Sequence, residues 1–230
     1  MTENNLAEGS RSYHDNAQIY ERFSQAEDAP NKILDFLRSR VTGKDVLDVG
    51  CGTGKYLAKL APITHSYSGL DISSDQLAIA QQKARNLDNV RLICSSAETI
   101  DVPSESIDVV ISTWVIGTIQ GVERRARAIS EATRVLRKEG SIYLVENDIG
   151  GEFEFIRDRF PDISRTREYN DWLEKDLAFI LLSRFTTHFG FESLDEARKV
   201  IGAIWGSQAA QRVQRKDIEH KIVIYEKKKS

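Results

Sequence analysis

Short apolar segments rich in β-branched residues alternate with amphipathic segments along most of this chain. Five apolar segments between residues 45 and 147 fit this description: DVLDVG, SYSGLDI, VRLIC, IDVVIST and SIYLVEN. Helical periodicity between them is clearest in SSDQLAIAQQKAR, opened by a capping box from Ser73 to Gln76, and in VERRARAISEATRVLRK, closed by Gly140. Strands that are apolar on both faces and alternate with helices predict a parallel sheet covered on both sides, a doubly wound α/β fold.

The two ends of the chain depart from this alternation. Before the first strand, YHDNAQIYERF and NKILDFLRSRV predict two helices that cap the sheet. After the fifth strand, a charged and aromatic segment without strand pattern predicts an insertion. It is followed by helix-like WLEKDLAFILLSRF and a possible strand near THFGFES. The chain then continues with a long helical stretch from Leu194 to about Arg215 and a final strand, HKIVIYEK. We expect one domain of 230 residues, divided into a cap (1–41), a core (42–149), an insertion (150–183) and C-terminal strands with a helix (184–230).

Composition limits the partners and the compartment. Lys and Arg total 32 against 35 Asp and Glu, and the basic residues are scattered except in the closing EKKKS. This argues against a nucleic-acid groove as the main surface and leaves a small RNA substrate open. Two distant cysteines and four unclustered histidines indicate neither a disulfide framework nor a metal site. Because we find no apolar run of membrane-spanning length and no signal or transit peptide pattern, we expect a soluble cytoplasmic protein with no membrane partner. We expect it to be a monomer or a homodimer.

The turn after the first strand carries the clearest chemical signal. VLDVGCGTGKY places glycines at positions 50, 52 and 54, where a strand gives way to a helix and backbone amides face a ligand. This G-x-G-x-G spacing matches neither the dinucleotide motif nor the P-loop. Asp71 ends the second strand 17 residues after Gly54, where a carboxylate can accept hydrogen bonds from both hydroxyls of a ribose. Together the two features predict a nucleoside site.

These motifs, with SSAETIDVPSESIDVVIS and EATRVLRKEGSIYLVE, resemble those of the class I S-adenosylmethionine-dependent methyltransferases over about residues 13–146. The resemblance implies a Rossmann-like, seven-stranded, mostly parallel sheet and S-adenosylmethionine as the cofactor. It also implies a set of cofactor-binding residues: Asp48, Gly50, Cys51, Gly52 and Gly54 at the methionine half, Asp71 at the ribose, Ile72, Ser96, Ala97 and Glu98 at the adenine, and Thr113 with Trp114 near the amine and sulfonium. Ser96 is a departure, since the family often has Asp there.

The first helix carries two tyrosines, Tyr13 and Tyr20, seven residues apart on one face. In similar enzymes this helix closes over the cofactor, so Tyr20 is a candidate for cofactor contact and Tyr13 for substrate contact. The alternative is that both only cap the sheet.

Acceptor chemistry is expected where the fourth and fifth strands end and in the segments that flank the core. Trp114 follows the fourth strand, and its aromatic face can attract a cationic sulfonium. Glu146 and Asp148 close the fifth strand, where a carboxylate would orient an amine or deprotonate a hydroxyl. The candidate catalytic residues are Asp148, Glu146 and Trp114, and the candidate substrate-binding residues are Tyr13, Trp114, Asp148, Tyr169 and Trp172.

We therefore expect methyl transfer to a nitrogen or oxygen nucleophile of a small-molecule acceptor, and two alternatives stay open. TWVIGTI and LVENDIGGEF resemble, more faintly, the protein α-N-terminal methyltransferases, which would make a protein or peptide amine the acceptor. Against this, Thr118 stands where that family has His, and Asp148 stands where it has Asn. The third hypothesis is a non-catalytic cofactor-binding scaffold or activator subunit, against which the intact glycine loop and Asp71 argue.

Overall fold

The apolar segments form one sheet of seven strands in the computed structural model, which describes residues 16–157 and 164–230. The strands are β1 (Asp45–Val49), β2 (Ser66–Asp71), β3 (Val90–Cys94), β4 (Ile107–Thr113), β5 (Leu136–Asn147), β6 (Ile180–Gly190) and β7 (Asp217–Lys228). Their order across the sheet is β3-β2-β1-β4-β5-β7-β6, and β7 runs antiparallel to both of its neighbours while β1 to β5 are parallel. The sheet is thus mixed and mostly parallel.

Helices cover both faces of the sheet. They are α1 (Ala17–Ala26), α2 (Lys32–Val41), α3 (Leu57–Leu60), α4 (Ser74–Ala84), α5 (Val122–Val135), α6 (Glu152–Ile156), α7 (Ser164–Lys175), α8 (Leu194–Trp205) and α9 (Ser207–Arg212). One hydrophobic cluster joins strand residues such as Leu47 to Ile129 of α5 and Leu173 of α7, and another joins Val46 to Leu37 of α2. Adjacent residues of β1 therefore serve opposite faces, as strand geometry requires.

Local sequence signals position several helix starts. Ser73 accepts a hydrogen bond from the backbone N–H of Gln76 at 3.3 Å, which confirms the capping interaction at the start of α4. Asn16 caps α1 in the same way through Ile19, and Ser193 caps α8 through Glu196. None of the described helices is long and apolar enough to cross a membrane.

Three element boundaries predicted from the sequence are wrong. Helix α5 ends at Val135, and Gly140 lies inside β5, where an added Cβ would stand 2.9 Å from the carbonyl oxygens of Arg137 and Asp108. Glycine is required there by close strand contact and not by a helix end. The helical stretch predicted from Leu194 to Arg215 is broken at Gly206. This glycine has a φ of +87° and lies between the end of α8 and the start of α9.

The segment WLEKDLAFILLSRF is the third error, because it is helical only as far as Lys175. Ile180 begins the edge strand β6, so the segment boundary predicted after Ser183 falls inside a strand. β6 pairs only with β7 and alternates between exposed and partly buried positions, which leaves it without the continuous apolar run of the central strands.

Candidate active site

A cavity of about 760 Å³ lies at the carboxyl edge of the sheet. Its floor is formed by the ends of β1, β2, β4 and β5, and its walls include residues of α1, α7 and α8. In open α/β sheets this edge, near the point where the strand order reverses between β1 and β4, is where ligands bind. The described residues contain no group of three His, Cys, Asp or Glu side chains that could hold a metal ion.

The glycine loop after β1 has a left-handed backbone at each of its three glycines, with φ of +74° at Gly50, +56° at Gly52 and +75° at Gly54. A Cβ at Gly50 would lie 2.2 Å from a methyl carbon of Val115, and one at Gly52 would lie 3.0 Å from the Tyr20 ring. Glycine is therefore needed for both backbone conformation and close packing. The loop is held by Gly50 N–H and Cys51 N–H, which donate to the carbonyl of Leu70 at 2.7 and 2.9 Å.

Asp71 joins the glycine loop to the start of α4. Its Oδ2 accepts a hydrogen bond from Gly52 N–H at 2.8 Å, and its Oδ1 accepts one from Ser73 N–H at 2.9 Å. The residue is only 6% exposed, yet it lines the cavity. A carboxylate at the cavity wall can accept hydrogen bonds from ligand hydroxyls.

Asp48 lies buried at the end of β1, before the loop, and Cys51 is buried within the loop. Asp48 accepts a hydrogen bond from the Tyr67 hydroxyl at 2.6 Å, and burial raises its pKa to about 7. Burial also raises the pKa of the Cys51 thiol well above its usual range, which makes a nucleophilic thiolate unfavourable at neutral pH. Both residues therefore belong to the buried base of the site.

The cavity continues past Asp71 to residues that follow β2 and β3. Ile72 is 48% exposed and lines the cavity with Ser96, Ala97 and Glu98. The Glu98 carboxylate is held by Arg124 at 2.6 Å and Arg127 at 2.9 Å, and the hydrogen bonds from these guanidinium groups, that of Arg124 above all, lower its pKa. This end of the cavity thus offers an apolar side chain and backbone atoms.

Trp114 has an unusual backbone at the end of β4. Its φ of +57° is rare for a bulky residue, and such conformations concentrate at functional sites. The indole stacks on His220 with ring centroids 5.4 Å apart, and the Lys55 ammonium lies 5.6 Å from the indole centroid. Trp114 lines the cavity, whereas Thr113, which is predicted to lie near the amine and sulfonium with it, does not.

The two candidate carboxylates at the end of β5 have different surroundings. Glu146 is 2% exposed, lines the cavity, and accepts hydrogen bonds from the Tyr169 hydroxyl at 2.8 Å and from Gly117 N–H at 3.3 Å. Burial raises the pKa of Glu146 to about 7 despite these bonds. Asp148 does not line the cavity, and its carboxylate lies 3.3 Å from the guanidinium of Arg184 on β6. The structure therefore places Asp148 outside the residues that line the cavity.

The predicted residues divide into three groups by position. Those that line the cavity are Tyr20, Gly50, Asp71, Ile72, Ser96, Ala97, Glu98, Trp114, Glu146, Tyr169 and Trp172. Those that do not are Asp48, Cys51, Gly52 and Gly54, which lie in the loop or before it, together with Thr113 and Asp148. Tyr13 lies outside the described residues.

Sequence reasoning missed a second set of cavity residues. Glu27 lies at the end of α1, where burial raises its pKa to about 7 and Lys55 Nζ lies 3.5 Å from its carboxylate. The aromatic wall is formed by Phe23, Phe153 and Trp205, with centroids of the last two 5.4 Å apart. These residues come from three distant segments, so the only local signal was the aromatic composition of the segment after β5.

Comparisons with known proteins find methyltransferases among the relatives of this chain. Residues 47–144 match the family model of a methyltransferase domain. A demethylmenaquinone methyltransferase of Tropheryma whipplei is 24% identical over 218 residues, covering 81% of this chain and 87% of that protein.

Solved structures share the fold. A SAM-dependent methyltransferase from Aquifex aeolicus superimposes with a TM-score of 0.60 at 15% identity, covering 91% of this chain and 97% of the other. Phosphoethanolamine N-methyltransferase 1 of Haemonchus contortus, solved with phosphoethanolamine and S-adenosylhomocysteine, superimposes with a TM-score of 0.54 at 22% identity over 62% of this chain and 32% of the other.

Proposed function

Because this chain is a class I S-adenosylmethionine-dependent methyltransferase, we propose that it methylates a nitrogen or oxygen nucleophile of a small-molecule acceptor bound beside Glu146. The observation that carries the proposal is a buried carboxylate with a pKa raised to about 7 in the same cavity as Asp71. A general base works best when its pKa lies near the working pH.

The cofactor would lie across the ends of β1, β2 and β3. The Asp71 carboxylate would accept hydrogen bonds from the ribose hydroxyls. Ile72 and the backbone at Ala97 would contact the adenine. The Glu98 carboxylate is already held by two arginines, so Glu98 would contact the cofactor only through its backbone. The bound cofactor supplies a methyl group activated by a sulfonium, so the protein has to position a nucleophile and exclude water.

Glu146 would act on the acceptor. The Glu146 carboxylate would take the proton that the acceptor nitrogen or oxygen loses when it receives the methyl group. The Tyr169 hydroxyl, which donates to Glu146 at 2.8 Å, would hold the carboxylate in one orientation. Catalysis therefore needs no metal in this proposal.

The aromatic wall favours an apolar or aromatic acceptor. Tyr169 and Trp172, with ring centroids 6.0 Å apart, face the same cavity as Phe153 and Trp205. The relative from Tropheryma whipplei is, by its name, a demethylmenaquinone methyltransferase, which supports a small-molecule acceptor. A peptide amine is disfavoured, because the carboxylate expected to hold it, Asp148, is paired with Arg184.

The test is methyl transfer from S-adenosylmethionine to a panel of phenols, quinols, aromatic amines and peptides with free N-termini, followed by mass spectrometry. We expect products from ring-bearing small molecules and a loss of turnover in Glu146→Gln. Turnover of peptides alone would overturn the assignment of the acceptor. Full activity in Glu146→Gln would overturn the assignment of the base.

A further inference from the structure

A buried histidine that the proposed chemistry does not use lies behind the cavity lining, in contact with Trp114 and Asn147. His220 on β7 is 2% exposed and lies between two aromatic rings, with centroids 5.4 Å away for Trp114 and 4.9 Å away for Phe189. Burial lowers the pKa of His220 well below its usual value, so the ring is neutral at physiological pH. A neutral imidazole carries one N–H donor and one acceptor nitrogen.

The hydrogen bond of His220 determines which nitrogen carries the proton. Nε2 lies 2.8 Å from Oδ1 of Asn147, while Nδ1 is buried and has no partner among the described residues. An amide oxygen can only accept, so the proton belongs on Nε2 and His220 donates to Asn147. With its oxygen turned to His220, Asn147 directs its Nδ2 the other way. Within the described part of the chain this amide nitrogen donates no hydrogen bond.

Asn147 lies on the acceptor side of the cavity. It ends β5, three strand spacings from Asp71 at the end of β2, which is about 14 Å at roughly 4.8 Å per strand. Its neighbour Glu146 leaves β5 on the opposite face, yet both residues line the cavity. A ligand at this edge of the sheet can therefore meet a base on one side and an amide donor on the other.

We infer that Asn147 is an acceptor-binding residue that donates a hydrogen bond from Nδ2 to a carbonyl or hydroxyl oxygen on the ring of the acceptor. His220 is the positioning residue that fixes the Asn147 amide in this orientation. The inference rests on the proposed function, since it adds a recognised oxygen to the aromatic acceptor that Glu146 would deprotonate. An acceptor lacking that oxygen would leave a cavity donor unpaired, which is the basis of selectivity.

The first experiment measures binding of two matched probes, 1-tetralone and tetralin, which differ in one carbonyl oxygen, to the full chain saturated with S-adenosylhomocysteine. Asn147→Asp keeps an oxygen acceptor for His220 but removes the donor, so the ratio of tetralone to tetralin affinity should fall by about 3- to 10-fold. His220→Phe retains the aromatic stack and should lower the same ratio while leaving tetralin affinity unchanged. Gln120→Ala, at an exposed position that lines the cavity, is the control and should keep the wild-type ratio.

An unchanged ratio in both Asn147→Asp and His220→Phe would overturn the inference, as would failure of the wild type to bind either probe. These outcomes are separate from failure of the proposed function, because the probes report binding and the acceptor panel reports turnover.

The second experiment is a long-range ¹H–¹⁵N correlation spectrum of the histidine side chains. We expect a pyrrole-like Nε2 and a pyridine-like Nδ1 for His220, with the assignment made by loss of the signal in His220→Phe. A proton on Nδ1 would overturn the positioning role.

Discussion

Replacing Glu146 with glutamine separates its chemical role from its structural one. The glutamine oxygen can still accept from the Tyr169 hydroxyl and Gly117 N–H, so affinity for S-adenosylhomocysteine should stay within a factor of about 2. Turnover should fall by 10²- to 10⁴-fold, the usual scale for a positioned general base. The wild-type kcat/KM should rise with pH with a midpoint near 7, because the carboxylate must be deprotonated to act, and this rise should be absent in the variant.

The same substitution has a stability signature. Glu146 has a pKa of about 7 in the folded chain against 4.5 for the ordinary side chain, so the folded state binds more protons between these values and stability falls as pH rises through them. The full difference corresponds to about 3 kcal/mol at pH 8. Glutamine does not ionise, so Glu146→Gln avoids this loss. We therefore expect the unfolding free energy of the variant minus that of the wild type to be roughly 2 kcal/mol higher at pH 8 than at pH 5.

The assays are urea unfolding at the two pH values and turnover with an acceptor from the panel. Glu168→Gln is the matched control, since Glu168 is exposed and also lines the cavity. Turnover of Glu146→Gln within about 3-fold of wild type would refute the role as base. A stability difference that does not change with pH would refute the assigned pKa.

Three further predictions concern the cofactor side. Asp71→Ala should weaken binding of S-adenosylhomocysteine by a factor on the order of 100 in titration calorimetry, because two charge-assisted hydrogen bonds are lost; equal affinity would contradict its contact with the ribose. Gly50→Ala should cost several kcal/mol of unfolding free energy and Gly43→Ala only about 1, because both have φ above +70° but only Gly50 would also place a Cβ 2.2 Å from Val115. Equal losses in urea unfolding would show that backbone strain dominates. If Tyr20 covers the cofactor, proteolysis of residues 17–28 should slow at saturating S-adenosylhomocysteine, and unchanged cleavage would leave α1 as packing alone.

The central strands could be predicted because their signals are local. β1 and β4 are short runs of mainly apolar, buried residues, and the glycine loop follows β1 directly in the sequence. β6 lacks such a run because it lies at the sheet edge, and the segment ILLSRF satisfies a helical pattern as well as a strand pattern. The sequence of β6 was therefore ambiguous until its pairing with β7 was known.

The choice between Glu146 and Asp148 could not be made from sequence. Residues two apart on a strand point to the same face, so both carboxylates satisfied the same argument. What distinguishes them is contact with Arg184, which is 36 residues beyond Asp148, and with Tyr169, which is 23 residues beyond Glu146. A single sequence contains no signal for either pairing.

The division of the sheet explains why the cofactor was easier to predict than the acceptor. The glycine loop, Asp71 and the residues after β3 all follow strands in one half of the sheet, so their chemistry is carried by short motifs. The proposed acceptor half lies beyond β4, where antiparallel β7 is inserted beside β5 and brings His220 to Asn147 from 73 residues away. Acceptor recognition in this proposal depends on contacts between distant segments. Variation there can change the acceptor without touching the motifs that bind the cofactor.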